Sequence, residues 1–180
     1  RAQGFIHQLS KSLIYAGYNI VNGFGWGVGS AVINGALEAV YEKPDKTSDE
    51  QLIMKPFPQF QTGSKTLPEM WEEYRQHMIS HAGISIIIFG NKSNGSGGII
   101  SAKGVLREFE IAVEHGLIPI PIAATEYAAK EIYELAINSS AKIYAGLEQV
   151  VPIIKELADT NLDDAEIIKK VHKILQTINK

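Results

Sequence analysis

Cysteine is absent from the 180 residues, so the chain holds no disulfide framework, no thiolate nucleophile and no cysteine-ligated zinc. That absence suits a reducing cytoplasm. A charge excess of either sign is missing as well. Lys and Arg number 17 against 20 Asp and Glu, a net charge of −3, without the basic footprint of a duplex nucleic-acid binder. Long apolar runs are also lacking. The longest, such as residues 84–90, fall well short of the roughly 20 residues that cross a bilayer. Neither nucleic acid nor membrane is therefore expected among the partners. With 45% of residues hydrophobic and little net charge, the composition excludes a disordered chain. The length suffices for one well-buried core. No signal peptide or transit segment is seen at the start. Opening on Arg1-Ala2-Gln3-Gly4 within a helical pattern, the chain reads as a piece of a longer protein.

What is present is an alternation of helices and strands. Phe5, Ile6, Leu9, Leu13 and Ile14 recur at helical spacing, which predicts an amphipathic helix over residues 2–16. Residues 18–21 read as a strand, followed by the turn Gly23-Phe24-Gly25-Trp26-Gly27-Val28-Gly29-Ser30 and a helix over residues 31–40. Residues 43–68 are polar and carry Pro44, Pro56, Pro58 and Pro68. They read as surface loop with a short strand near residues 52–54. Pro68 begins a helix through Trp71, Tyr74 and Met78. The apolar, β-branched run over residues 84–89 predicts a central strand buried on both faces. A second glycine-rich loop, residues 90–98, leaves it. A helix runs from Gly104 to a C-cap at Gly116, then comes an apolar strand over residues 117–123, whose Pro119 and Pro121 favour a sheet edge or a strand end. The rest reads as helix over 126–137, 147–157 (interrupted by Pro152) and 163–178. The expected fold is α/β: an open, mostly parallel sheet flanked by helices in one domain over residues 1–180, with its first strand lying upstream.

Two glycine-rich turns each leave a strand and enter a helix, where open α/β sheets bind ligands. In the first, glycines at 23, 25, 27 and 29 let backbone amides approach a ligand, and a helix N-terminus follows that suits a phosphate. The spacing does not fit the dinucleotide fingerprint. A tight turn with close strand–helix packing is the alternative. In the second, Gly90-Asn91-Lys92-Ser93 imitates part of a P-loop but has Asn91 where glycine belongs. Lys92 and Lys103 flank it, either as ligand contacts or as solvated loop lysines. Arg75 and Glu108 stand on flanking helices, with salt bridging and helix-dipole complementation as their plainer roles. His77 and His81 share a helix face without a third ligand, so no metal site is expected.

These residues carry a resemblance. Residues 18–40, with Asn22-Gly23-Phe24-Gly25-Trp26-Gly27-Val28-Gly29, are similar to the second strand and glycine turn of the SLOG superfamily, which includes the LOG phosphoribohydrolases. The LOG signature is an Arg on a helix, a strand, then P-G-G-x-G-T-x-x-E. Arg75 falls where that Arg belongs, and Gly104-Val105-Leu106-Arg107-Glu108 aligns with G-T-x-x-E. Phe89-Gly90-Asn91 replaces P-G-G, Val105 replaces Thr, and residues 92–103 look like an insertion. Those departures favour a binding pocket over hydrolysis of a nucleoside monophosphate.

Over its whole length the chain resembles the SLOG domains of bacterial Thoeris antiphage-defence effectors. The resemblance implies an upstream sirtuin-like NAD hydrolase domain and a TIR-domain partner that makes a cyclic ADP-ribose isomer. The SLOG domain binds that signal, and binding switches on the hydrolase. The fragment itself has no catalytic residue in this reading. Homo-oligomers are implied, with the loop of residues 91–103 ordered by ligand. The implied ligand contacts are Asn22, Gly23, Phe24, Gly25, Trp26, Gly27, Arg75, Gly90, Lys92, Lys103, Gly104 and Glu108. The turn amides, Arg75 and Lys92 would hold the diphosphate, and Glu108 the ribose hydroxyls. Phe24 or Trp26 would stack on the base, a core role for either being the alternative.

Overall fold

The computed structural model describes residues 2–25 and 27–179; Trp26, named above as a ligand contact, lies outside them. The chain forms two compact units, one ending at His81 and the other beginning at Ala82.

In the first unit, α1 (Ala2–Tyr15) buries Phe5, Ile6, Leu9, Leu13 and Ile14 against α2 (Gly29–Glu42), which buries Ala31, Val32, Ala36 and Ala39. Their crossing is close because Gly35 has no side chain: a Cβ there would sit 2.2 Å from His7 O. Buried Ser10 donates its hydroxyl to Val32 O at 2.6 Å. At the rim, Lys11 Nζ reaches Glu38 at 2.5 Å and Glu42 at 2.9 Å. Strand β1 (Ile20–Asn22) starts two residues later than its predicted strand and runs parallel to β2 (Leu52–Met54), with Ile20 opposite Leu52 and Asn22 opposite Met54. Ile20 and Leu52 pack on the cluster of Ile14, Ala36 and Ala39. Helix α3 (Leu67–Ile79) starts at a capping box in which Thr66 and Glu69 satisfy each other's backbone amides, with Pro68 in its first turn.

In the second unit, β3 (Ile84–Ile87) pairs in parallel with β6 (Ile118–Pro121), Ile84 opposite Ile118 and Ile87 opposite Pro121. Ile118 N donates to Gly83 O and Ile122 N to Ile87 O. The even-numbered amides of β6 therefore face β3, and the two prolines fall on the opposite edge, where no donor is needed. Of the two places expected for these prolines, both take the edge, and Pro121 also takes the strand end. The expectation of a strand buried on both faces is corrected: β3 ends at Ile87 and only Ile87 is fully buried, because the strand pairs along one side only among the described residues. Residues 90–103 are corrected from flexible loop to hairpin, with β4 (Asn91–Ser93) antiparallel to β5 (Ile99–Ser101). Asn94 organises its tip, accepting from Ser96 N at 2.9 Å and Gly98 N at 3.0 Å. Asn/Gly/Ser composition hides such a side-chain-built turn.

Helix α4 (Lys103–Glu114) follows, then α5 (Tyr127–Asn138), α6 (Ser140–Ile143), α7 (Val151–Glu156) and α8 (Asp164–Ile178). Pro152 sits in the first turn of α7, opening that helix instead of interrupting it. The core gathers Ile111, Ile120, Ile122, Ile132, Ile154 and Leu157 around the fully buried Tyr144. The Tyr144 hydroxyl donates to Pro119 O at 3.0 Å, and burial pushes the phenol well above its ordinary pKa. Short parallel strands flanked by helices thus build the α/β fold expected. No described helix is long and apolar enough to cross a membrane.

Candidate functional site

The glycine turn of the first unit begins at the carboxyl end of β1. Asn22 Oδ1 accepts from Phe24 N at 2.7 Å, reversing the chain and holding Phe24 at a left-handed φ of 55°. Val28 N and Gly29 N then donate to Gly25 O at 3.2 and 2.9 Å. The four glycines have separate uses. A Cβ on Gly23 would lie 2.5 Å from Phe57 Cε2 and 3.0 Å from Met78 Sδ, and one on Gly29 would lie 2.5 Å from Phe24 Cδ2. Both positions are notches for aromatic rings, so the packing alternative holds there. Gly27 has a φ of 80°. Of the four, Gly25 alone has open space and an ordinary φ, leaving its backbone approachable. Helix α2 begins without a side-chain cap, its cap position being Val28, so its positive end is left to other partners.

Behind the turn stands a wall that composition concealed. Lys55 N donates to Asn22 O at 2.9 Å, extending the β1–β2 ladder by one residue. Phe57 fills the Gly23 notch, and Trp71 Nε1 donates to Pro58 O at 2.8 Å. The half-buried Arg75 of α3 holds its guanidinium 5.5 Å from the Phe57 ring centroid, a cation–π arrangement. Tyr74 tilts against the same ring at 6.4 Å. Residues 55–58 are therefore not plain surface loop. An aromatic residue between two prolines, straight after a strand, was the available clue. His77 and His81 on and after α3 meet edge to face at 4.8 Å.

The second unit has its own turn, at the carboxyl end of β3. Phe89 and Gly90 are both left-handed, at φ 51° and 79°. Phe89 N donates to Thr125 Oγ1 at 2.8 Å, and Phe89 O accepts from Ala129 N at 3.0 Å. Gly90 is obligatory twice over, since a Cβ would lie 2.7 Å from that of Ala128 and 3.3 Å from Val105. Ala102 N closes the hairpin base on Gly90 O at 2.7 Å. Lys92 lies on β4 opposite Ile100, and Lys103 and Gly104 open α4, which has no side-chain cap. Lys92 and Lys103 are exposed and Glu108 is half-buried on the second turn of α4.

Strain is concentrated in matching places. The non-glycine residues with positive φ among those described are Phe24, Phe89, Glu126 and Tyr127. They follow the carboxyl ends of β1, β3 and β6. Glu126, at φ 64° and ψ −165°, occupies a region that glycine alone enters readily. Sequence reading missed Glu126 and Tyr127 because no glycine marks them. Such strain persists only where surroundings enforce it, and it gathers at ligand sites.

Rossmann-like topology, a glycine turn into an uncapped helix, and an Arg on the helix before β3 define a SLOG-type domain. The chain belongs to the Sir2- and TIR-associating SLOG family, whose model matches residues 1–178. It is 40% identical over 177 residues to the NAD(+) hydrolase ThsA of Cytobacillus dafuensis, covering 98% of this chain and 36% of that protein. The ThsA of Bacillus cereus strain MSX-D12 is 38% identical over 179 residues, covering 99% and 37%. That of Acinetobacter baumannii is 32% identical over 180 residues, covering 97% and 37%. The chain spans little more than a third of the curated relatives it matches.

Proposed function

We propose that this SLOG domain is the sensor of an antiphage NAD hydrolase of the Thoeris type. It binds a cyclic ADP-ribose isomer made by a TIR-domain partner and so activates a sirtuin-like NAD-hydrolysing domain of the same protein. The family's association with Sir2 and TIR proteins and the NAD(+) hydrolase relatives support the partners. The observation that carries the ligand reading is that each unit holds non-glycine backbone at positive φ after its strands' carboxyl ends, and each has such a turn leading to a helix that begins without a side-chain cap. Enforced strain there is the mark of a pre-shaped ligand clamp.

In this reading the amides around Gly25 and the cation Arg75 are the first unit's contacts to the diphosphate, and Lys92 is a cation that the second unit offers to the ligand. Lys103 and Gly104 line the second turn, and Glu108 accepts from ribose hydroxyls. Phe24, half exposed, stacks on the base. The domain needs no catalytic residue and no metal. It acts in the cytoplasm within a homo-oligomer, whose packing changes when the β4–β5 hairpin engages ligand.

The competing reading is a LOG-type phosphoribohydrolase using Arg75 and Glu108. Val105 speaks against it. Its side chain packs against Gly90 where a threonine hydroxyl would serve the phosphate cradle. Titration calorimetry with cyclic ADP-ribose isomers, ADP-ribose and AMP, followed by chromatography of each ligand, separates the two. One cyclic isomer bound tightly and recovered unchanged is expected. Free base released from AMP would establish the hydrolase instead.

A further inference from the structure

Lys55 stands in a segment whose composition reads as surface loop, and no role has yet been given to it. Its backbone is the last rung of the β1–β2 ladder, at the carboxyl edge. Leu52 packs on the α1–α2 side, so the two-residue alternation of a strand puts Ile53 and Lys55 on the other side. That is the side of Gly23, whose notch meets Phe57 and Met78 of α3. Lys55 is half-buried and makes no ion pair among the described residues. By contrast, Lys11, Lys65 and Lys170 each reach a carboxylate. A lysine whose stem is covered and whose ammonium meets no carboxylate leaves that charge to water or to an anion. Two residues further along the same chain, the Phe57 ring meets a cation from α3, the Arg75 guanidinium lying 5.5 Å from its centroid. Pro56 and Pro58 stiffen the chain on both sides of that ring, so the lysine's backbone is already placed before anything binds.

We infer that Lys55 is a ligand contact of the first unit, supplying the charge for one phosphate of a diphosphate-bearing nucleotide while Arg75 serves the other. The inference rests on the nucleotide-sensor reading and adds a residue to it. Two cations from two elements suit charge spread over two linked phosphates better than charge held on a single phosphate, so the site favours ADP-ribose-type ligands over AMP.

The test is calorimetry of the chain and its Lys55→Met and Lys55→Arg variants with cyclic ADP-ribose, ADP-ribose, adenosine and inorganic pyrophosphate. Lys55→Met is expected to weaken the diphosphate-bearing ligands roughly 10- to 100-fold and to leave any adenosine binding unchanged. Lys55→Arg should retain most of the affinity. A purely structural lysine would shift adenosine equally, and the thermal midpoint would fall with it. Unaltered ADP-ribose-type affinity in Lys55→Met overturns the contact and leaves the sensor reading standing. Lys55-dependent binding of pyrophosphate with no nucleotide bound keeps the contact and removes the sensor reading. Failure of the parent chain to bind either one overturns both.

Discussion

The turns after β1 and β3 begin alike and end differently. Each puts a left-handed phenylalanine, Phe24 or Phe89, just past the strand, and each delivers the chain to a helix without a side-chain cap. The first turn reaches α2 within a few residues and uses two glycines as notches for rings. The second uses one glycine, Gly90, as a notch and then detours through a hairpin. At its tip Gly95 and Gly97 take left-handed angles and Ile99 is 58% exposed. Glycine density therefore means different things in the two places. In the first it permits tight packing around one approachable residue, Gly25. In the second it mostly shapes a projecting tip whose contacts are its own.

That contrast can be broken by substitution. The largest effect is expected at Gly90, where a valine meets Ala128 and Val105 and must also hold a left-handed φ. Crowding of about 1–3 kcal/mol adds to backbone strain of about 1–2 kcal/mol. Gly25→Ala, in open space, should stay within about 0.5 kcal/mol of the parent. Urea midpoints measure both, and equal losses would erase the distinction between notch and open glycine. Next comes Arg75→Ala, expected to cost about 1.5–3 kcal/mol of ligand affinity through a lost charge-assisted contact. An unchanged Kd by calorimetry would take Arg75 out of the site.

Gly23→Ala follows, at about 1–3 kcal/mol of stability, because Phe57 blocks the added methyl. Combining it with Phe57→Leu should restore part of the loss, and strict additivity would show that the ring is not the obstacle. The smallest effect concerns acid. Burial holds His172 of α8 below the ordinary histidine value of 6.5, so the unfolded chain takes up that proton first. The stability from this group is then lost as pH falls below about 6.5 toward the folded value. In the first unit the Lys11 hydrogen bond, with His7 second, holds Glu38 below its ordinary 4.5, so its contribution fades only under more acid conditions. Hydrogen exchange near pH 5.5 should loosen α8 before α1; the reverse order would reject the assignment.

Much of this was legible because periodicity tracks burial. The residues of α1 and the prolines of β6 announced their place, and the β-branched run of β3 announced a strand but not its burial. The glycine turn and Arg75 stood out by spacing. Three features did not. The β4–β5 hairpin is written in Asn, Gly and Ser, and the Asn94 side chain supplies order that composition alone does not show. The Lys55–Phe57 wall lies in a proline-rich polar stretch, and only the empty Cβ position of Gly23 explains why that stretch turns inward. Glu126 and Tyr127 are held in left-handed angles by neighbours distant in sequence, with Ala129 N bound to Phe89 O. No local residue type encodes that constraint.

The prolines of β6 have a consequence for assembly. A sheet grows sideways only if its last strand offers donors to a newcomer, and along the outer side of β6 two successive donor positions are occupied by Pro119 and Pro121. A newcomer strand would find no amides there, and the Pro119 carbonyl is already taken by the Tyr144 hydroxyl. With Pro119 fully buried, the sheet ends at that flank within the second unit, and its last strand is withheld from pairing with any other copy.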